Sequence, residues 1–267
     1  MSQPLTEFMP DIRHIITEDD TPVDNFASEK QQRLLTEPLY SSWAGPGQGR
    51  SFLVAANVGI FYTPRAAAIV PDVFLSLDVE VAPDWWQKEH RSYFLWEFGK
   101  PPEVVIEIVS NREGGEADEK KQKYARIKVG YYVIYDPLQQ VMPEPLTIYQ
   151  LRGHTYVLQA EPRFPDLKLG LTLWEGEYEG RQDVWLRWTD EQGRIILTGK
   201  ERAEAERERA EAERERAEAE RERAEQERQR AEQERAEKEA LREQLELERQ
   251  RVAQLTERLR QLGREPE

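Results

Sequence analysis

The sequence predicts an α/β domain with a mixed β-sheet core and flanking helices, followed by a long C-terminal α-helix. Three observations lead to this prediction. In the first 200 positions, short apolar runs rich in β-branched and aromatic residues alternate with turn residues. A polar helical segment separates two of these runs, as in a β-α-β unit. From residue 200 onward the chain consists almost wholly of Glu, Arg, Ala, Gln and Leu, and all seven Trp residues precede that point.

The length of 267 residues allows one domain and an additional segment. We predict an extended N-terminal arm at 1–25, the α/β domain at 26–199, a long charged helix or coiled coil at 200–262 and a disordered tail at 263–267. The chain contains no Cys, which excludes disulfides, thiolate zinc sites and cysteine nucleophiles. No apolar stretch reaches about 18 residues and no signal-peptide pattern is present, so we expect a cytoplasmic protein with no membrane partner.

The elements of the domain follow from local patterns. Ser28 is the expected N-cap of a first helix with the sequence EKQQRLLTEPL. A later helix is expected in EGGEADEKKQKYARIKVG, with Gly130 as its C-cap. The run VVIEIV is apolar nearly throughout, which predicts a central strand covered on both faces. The predicted strands lie in SFLVAANVGIFY, AAAIVPDVFLSL, EVVIEIV and YYVIYDP.

The last part of the domain is predicted to be β-rich. LTIYQLR and TYVLQA flank Gly153, a pattern typical of a β-hairpin. VWLRWTDEQGRIIL contains a turn from Asp190 to Gly193. We expect these strands to form the C-terminal edge of the mixed sheet.

Two acids interrupt apolar runs. Asp72 follows Pro71 in AIVPDVFLSL, and Glu107 lies in the middle of VVIEIV. A buried acid costs several kcal/mol unless it is paired, protonated or bound to a metal. One interpretation is structural: Asp72 caps a turn, Glu107 pairs with a helix lysine, and the other lysines form a solvated face. The other is chemical: two carboxylates suit Mg²⁺ or Mn²⁺, and a nearby ammonium assists phosphodiester hydrolysis.

The segments PDVFLSLDV, YFLWEFGKPPEVVIEIVS and EADEKKQKYARIKVGYYVIYDP resemble the Uma-two family of restriction-endonuclease-like proteins, which share the PD-(D/E)XK fold. The resemblance extends from about Asp24 to Thr198 and includes the type of C-terminal helix. It rests on an ordered set: a proline-aspartate pair, a glutamate in EIVS, a helical lysine, a tyrosine four residues later and a closing aspartate-proline. The resemblance implies a restriction-endonuclease-like mixed sheet and nuclease activity.

The resemblance also implies roles for individual residues. Asp72 and Glu107 match the metal-binding acids, and Lys120 matches the catalytic lysine four residues before Tyr124. The fold's usual lysine is replaced by Val109, so Lys120 would reach in from the helix. The further supporting candidates are Lys121, as a substitute for Lys120, and Glu29, as an additional acid or an acid favoured by the helix dipole.

The expected partner is nucleic acid, with DNA favoured. The formal net charge of -14 argues against general binding to polyanions, so contact requires a local patch such as the basic run at 120–128. That run is also compatible with an ordinary exposed helix face. The tryptophans that are candidates for stacking on bases, or for packing, are Trp85, Trp86, Trp96 and Trp185. The three His residues show no metal-ligand spacing.

The C-terminal segment repeats the heptad AEAERER, with Ala at 203, 210, 217, 224 and 231. The same register continues at Leu245, Val252 and Leu259, accompanied by Leu241, Leu255 and Leu262. Only the last 22 residues of this stripe are apolar enough for association. We expect either a single α-helix, roughly 90 Å long at about 1.5 Å per residue, or a parallel homodimer. A non-catalytic nuclease-fold protein that assembles partners through this helix is the alternative to the enzyme.

Overall fold

The structure is a computed structural model that describes residues 14, 25–47, 49–110, 116–261 and 263. The α-helices are α1 Phe26–Ser42, α2 Leu95–Phe98, α3 Lys121–Ile127 and α4 Gly199–Gln261, with a π-helical turn at Glu116–Lys120 and a 3₁₀ turn at Pro165–Leu167. The strands are β1 Phe52–Ala56, β2 Ile60–Phe61, β3 Val73–Leu77, β4 Tyr93–Phe94, β5 Val104–Ile108, β6 Tyr131–Tyr135, β7 Leu146–Arg152, β8 Thr155–Leu158, β9 Arg163–Phe164, β10 Leu169–Tyr178 and β11 Arg181–Asp190.

The main sheet has six strands in the order β1-β3-β5-β6-β7-β8. Its neighbouring strands are antiparallel except β5 and β6, which are parallel. Parallel neighbours need a crossover connection, and the chain between them contains α3. The predicted β-α-β unit and the predicted mixed α/β class with a long C-terminal helix are therefore confirmed.

Strand β5 is buried on both faces, as its apolar sequence predicts. On one face Ile106 belongs to a core with Leu35 of α1 and Trp188 of β11. On the other face Val105 belongs to a core with Tyr124 of α3. Packing on each face of the sheet removes apolar side chains from water, and this burial stabilises the fold on both sides of the sheet.

Helix α1 begins one turn earlier than the sequence pattern predicts. The Asn25 Oδ1 accepts hydrogen bonds from the backbone N–H groups of Ala27 and Ser28, each at 3.0 Å. The prediction that Ser28 is the N-cap is therefore wrong: its side chain is buried within the first turn. Asn and Ser are about equally favoured at the N-cap, so local preference did not distinguish the two positions.

Helix α3 ends at Ile127, and its C-cap is Lys128, which has a left-handed φ of 69°. The prediction that Gly130 is the C-cap is therefore wrong. A Cβ atom at Gly130 would lie 3.1 Å from the carbonyl oxygen of Glu103. The glycine instead permits close approach of the chain before β6 to the chain before β5.

Strands β7 and β8 form the edge of the main sheet, as predicted, whereas β9, β10 and β11 form a separate three-stranded sheet in the order β11-β10-β9. Their alternating pattern predicts strands but does not assign them to a sheet, since either arrangement buries one face. The predicted hairpin around Gly153 is confirmed by the pairing of β7 with β8. The predicted turn is also confirmed, because the Gly193 N–H donates to the Asp190 carbonyl oxygen at 2.9 Å.

Helix α4 begins with a capping box between Thr198 and Glu201. The Glu201 N–H donates to the Thr198 Oγ1 at 3.2 Å, and the Thr198 N–H donates to the Glu201 Oε2 at 2.7 Å. The Glu201 carboxylate also accepts two hydrogen bonds from Arg187, at 2.7 and 2.6 Å. The Arg187 side chain is only 2% exposed. This pair fixes the start of α4 to β11.

Residues 203–267 form a second compact unit, which consists of the rest of α4 and the residues that follow it. No residue of α4 is buried. The predicted arm at 1–25 and the predicted tail at 263–267 lie outside the described residues, apart from His14, Asn25 and Gly263. Among the described helices, none has the length and apolar character needed to cross a membrane. The cytoplasmic location stays a prediction.

We expect Glu201→Ala to lower the free energy of unfolding of the domain by about 2–3 kcal/mol. The substitution leaves the buried Arg187 guanidinium without its carboxylate and removes half of the capping box. Urea denaturation measures the change. Glu208→Ala on the exposed part of α4 is the control and should change stability by less than about 0.5 kcal/mol. Equal effects of the two substitutions would contradict this account.

Candidate active site

Two acids predicted from the sequence lie side by side at one end of the main sheet. Asp72 immediately precedes β3, and Glu107 lies in β5. The antiparallel register pairs Val73 with Ile106, and one further step places Asp72 opposite Glu107. The Asp72 Oδ2 accepts a hydrogen bond of 2.6 Å from the Ile108 N–H. The sheet therefore brings the two carboxylates, called the acid pair below, onto neighbouring strands.

The helical segment after β5 supplies the contacts of Glu107. The Lys120 Nζ lies 2.7 Å from the Glu107 Oε2, and the Tyr124 hydroxyl donates to the Glu107 Oε1 at 2.6 Å. The Glu107 side chain is fully buried, whereas that of Lys120 is partly exposed. Four residues singled out in the sequence, Asp72, Glu107, Lys120 and Tyr124, thus lie in one cluster.

The electrostatics of the cluster are dominated by burial of Glu107. Desolvation and, to a smaller extent, the negative charge of Asp72 raise the pKa of its carboxyl, whereas the Lys120 ammonium and the Tyr124 hydroxyl oppose the rise; the net result is a pKa of about 8. Burial and the nearby Glu107 also hold the pKa of Tyr124 well above its ordinary value. The tyrosine therefore remains a hydrogen-bond donor to the carboxylate. A carboxyl group with so strongly shifted a pKa is typical of functional sites.

Lys120 ends the π-helical turn that directly precedes α3. Turns of this kind are frequent at functional sites, because the wider turn redirects the side chains on either side of it. The next residue, Lys121, places its Nζ 3.5 Å from the centroid of the Tyr149 ring. The ammonium that contacts Glu107 is therefore that of Lys120, and Lys121 does not substitute for it here.

The structure does not bring Glu29 to the acid pair. Its carboxylate lies on the exposed surface of α1 and pairs with Arg33 at 2.5 Å, and Arg33 also pairs with Glu179. Val109, at the position of the fold's usual lysine, is buried in the apolar core on the α3 side of the sheet. An ammonium at the site must therefore come from the helical segment.

Two residues of the site were missed by sequence reasoning. The Gln32 side chain, buried on α1, donates to the Asp72 Oδ1 at 3.2 Å and accepts a hydrogen bond of 2.9 Å from Asn57. Asn57 follows β1 with a left-handed φ of 55°, and its backbone N–H donates to the Asp72 carbonyl oxygen. The only local signal was a glutamine on the buried face of an amphipathic helix, since a buried amide needs a partner.

The carboxylate oxygen atoms at the site come from the acid pair. Within the described part of the chain, no group of three or more His, Cys, Asp or Glu side chains is placed to hold a metal ion. Two carboxylates are nevertheless a donor set that Mg²⁺ accepts in proteins, because this ion usually keeps several of its waters. The residues present fit a partly hydrated divalent cation, and they do not form a closed protein cage.

The protein-family model described as "Uma2: Putative restriction endonuclease" matches residues 15–175, which include both acids, Lys120 and Tyr124. No curated protein matches the chain.

The raised pKa of Glu107 predicts a pH-dependent contribution to stability in the metal-free protein. This contribution is present in full below the ordinary carboxyl pKa of 4.5 and is lost as the pH rises through about 8. The melting temperature of the wild-type protein, relative to that of Glu107→Gln, should therefore fall between pH 5 and pH 8. Thermal unfolding in chelator measures it.

The control for that measurement is Glu144→Gln, a substitution at an exposed side chain. The melting temperature of this variant should follow that of the wild type at every pH. A constant difference between wild type and Glu107→Gln across this range would show that Glu107 does not titrate there.

Proposed function

Since the chain belongs to the Uma2 family, as its sequence motifs predicted, we propose that it is a metal-dependent endonuclease that hydrolyses phosphodiester bonds of nucleic acid. The observation that carries the proposal is the convergence of Asp72, Glu107 and Lys120. Two acids on neighbouring strands and a lysine on the following helix are the groups that this hydrolysis requires.

The acid pair would hold Mg²⁺, with Mn²⁺ as a second suitable ion. Each carboxylate oxygen has two lone pairs, so the hydrogen bonds from Ile108, Lys120 and Tyr124 leave acceptor capacity on the same oxygens. When bound, the metal would lower the pKa of a coordinated water and neutralise charge on the phosphoryl oxygens. Its charge would also favour the ionised form of Glu107.

The other residues have roles in positioning and proton transfer. The Lys120 side chain is partly exposed, whereas that of Glu107 is fully buried. The Lys120 ammonium can therefore contact Glu107 and also donate to the attacking water or to a phosphoryl oxygen. The Tyr124 hydroxyl holds Glu107 in place. Gln32 does the same for Asp72 from α1. Such support keeps the carboxylates in one arrangement before substrate binds.

We assign DNA as the substrate class and α3 as the region that approaches its backbone. Lys121 and Lys123 are partly exposed and Arg126 and Lys128 are exposed, on the helix that follows Lys120. The ion pair between Lys123 and Glu119 is solvent-exposed, so phosphate can displace Glu119 at little cost. These side chains form a local basic patch in a chain whose formal net charge is -14.

The test is cleavage of circular and single-stranded DNA in Mg²⁺ or Mn²⁺ by the wild type, Asp72→Ala and Glu107→Ala. We expect each substitution to reduce the rate by at least about 100-fold, because each removes a ligand of the cation. Lys120→Met should cost on the order of 100-fold through loss of transition-state charge stabilisation. Glu144→Gln is the matched surface control. Equal cleavage by all variants, or none by any, would refute the assignment for these substrates.

A second role, assembly through α4, is favoured by its exposed apolar stripe. Leu245, Val252 and Leu259 occupy one heptad position and Leu241 and Leu255 its companion, and all five are exposed. In the first half of α4 the flanking heptad positions are Arg, so a parallel pair would place like charges opposite each other. We assign the end of α4 as the contact region of a homodimer.

The full-length chain should have the molecular mass of a dimer by light scattering, and the double variant Leu245→Glu/Val252→Glu should have that of a monomer. Both changes place a charge in the apolar seam. Leu247→Glu, an equally exposed leucine outside the seam, is the control and should remain dimeric. A monomeric wild type, or dimers in all three proteins, would exclude this contact.

A further inference from the structure

A cleft of about 570 Å³ opens on the α3-side face of the main sheet, beside β1. Its volume lies within the range of small-molecule and nucleotide sites. Most of its lining is apolar or aromatic. The lining includes Ala55, Phe74, Trp85, Trp86, Tyr93 and Phe98.

The cleft adjoins the acid pair. Ala55 and Phe74 are register partners in β1 and β3, and two positions further along the Asn57 N–H donates to the Asp72 carbonyl oxygen at 3.2 Å. Two residues along a strand span about 7 Å, roughly the separation between successive nucleotides of an extended strand. Val58, which also lines the cleft, directly follows Asn57. A ligand in the cleft would therefore lie beside the acids.

The floor of the cleft is formed by aromatic rings, of which Phe74 and Tyr93 are buried and Phe98 is half-buried. The Tyr93 and Phe98 rings are parallel, with centroids 4.3 Å apart, and Phe74 meets Tyr93 edge-on at 5.1 Å. The Tyr93 hydroxyl donates to the Lys100 carbonyl oxygen at 3.0 Å and also bonds the Ser76 hydroxyl. These hydrogen bonds fix the orientation of the ring, so the floor is preformed.

The rim carries two tryptophans that are not packed into the core. Trp85 is 58% exposed and Trp86 is 87% exposed. Their loop is held by short-range hydrogen bonds: the Gln87 N–H donates to the Asp84 carbonyl oxygen at 2.8 Å, and the His90 Nδ1 lies 2.6 Å from the Asp84 carboxylate. Two large exposed aromatics on a constrained loop indicate a ligand with a flat, apolar face.

We propose that this cleft binds an unstacked base of the substrate strand next to the phosphodiester that is cleaved, an inference that rests on the proposed nuclease function. A nucleobase has a flat π-face that Trp85, Trp86 and the rings of the floor accommodate. Arg91 on the rim supplies a cation for the phosphate of the same nucleotide. A peptide would match the aromatic rim less well. The site therefore favours single-stranded or locally unpaired nucleic acid over an intact duplex.

The experiment measures binding of full-length protein to fluorescein-labelled single-stranded DNA of about 12 nucleotides by anisotropy, with Ca²⁺ in place of Mg²⁺ and intact DNA verified afterwards. A set of strands is compared, each with a single abasic residue at a different position. In the wild type, an abasic residue at one or two adjacent positions should weaken binding about tenfold, because stacking is lost only there.

Trp86→Ala should weaken binding to the intact strand by about tenfold and abolish the dependence on abasic position, while Trp86→Phe retains most of both. Phe26→Ala, an exposed aromatic residue outside the cleft, is the control and should bind as the wild type does. Both tryptophan substitutions are at a largely exposed side chain, so the fold is preserved.

The results separate the cleft from the nuclease. Position-dependent binding in a protein that cleaves no DNA would refute the nuclease activity and support the base site. Cleavage by the wild type together with uniform abasic effects, or unchanged binding by Trp86→Ala, would overturn the base site alone. A wild-type protein that binds no strand would overturn the base site as well.

Discussion

Burial of the Glu107 carboxyl is the constraint on which the arrangement of the site depends. A carboxyl at the centre of a doubly covered strand loses its hydration, and the protein replaces it with one ammonium and one hydroxyl. Both come from the segment that crosses from β5 to β6. The position of that segment on the sheet is therefore fixed by polar contacts as well as by the apolar packing of Tyr124.

Much of the candidate site could be predicted because the sequence patterns that indicate it are local. An acid in VVIEIV contradicts its surroundings, and Lys120 and Tyr124 are spaced to share a helix face. Gln32 and Asn57 gave no signal of this kind. The contact of Gln32 with Asp72 depends on how α1 packs against the sheet, and that of Asn57 depends on the pairing of β1 with β3, and both are long-range events that no window of sequence records. The same holds for the separate C-terminal sheet.

In the C-terminal helix, almost everything could be predicted from local sequence, and its contacts with the domain could not. Its heptads specify the helix completely, and even its start is encoded by the Thr198–Glu201 spacing of a capping box. What the pattern does not reveal is that Glu201 also contacts Arg187, buried in β11. A residue used for local capping thus also attaches the helix to the domain. The next arginine, Arg202, adds a second attachment, because its guanidinium donates to the Ser41 carbonyl oxygen at the end of α1.

The contact between Glu107 and Lys120 is compatible with two explanations, a structural ion pair or an active site, and Asp72 distinguishes them. A buried ion pair needs no second acid, and apolar replacements of such pairs often stabilise a protein. Asp72 raises the pKa of Glu107 and so opposes the ionised form that Lys120 favours. Gln32 and the Ile108 N–H nevertheless hold Asp72 in that place. A costly second carboxylate, held by dedicated hydrogen bonds, is what the proposed divalent cation would require, and it supports the catalytic proposal over a purely structural pair.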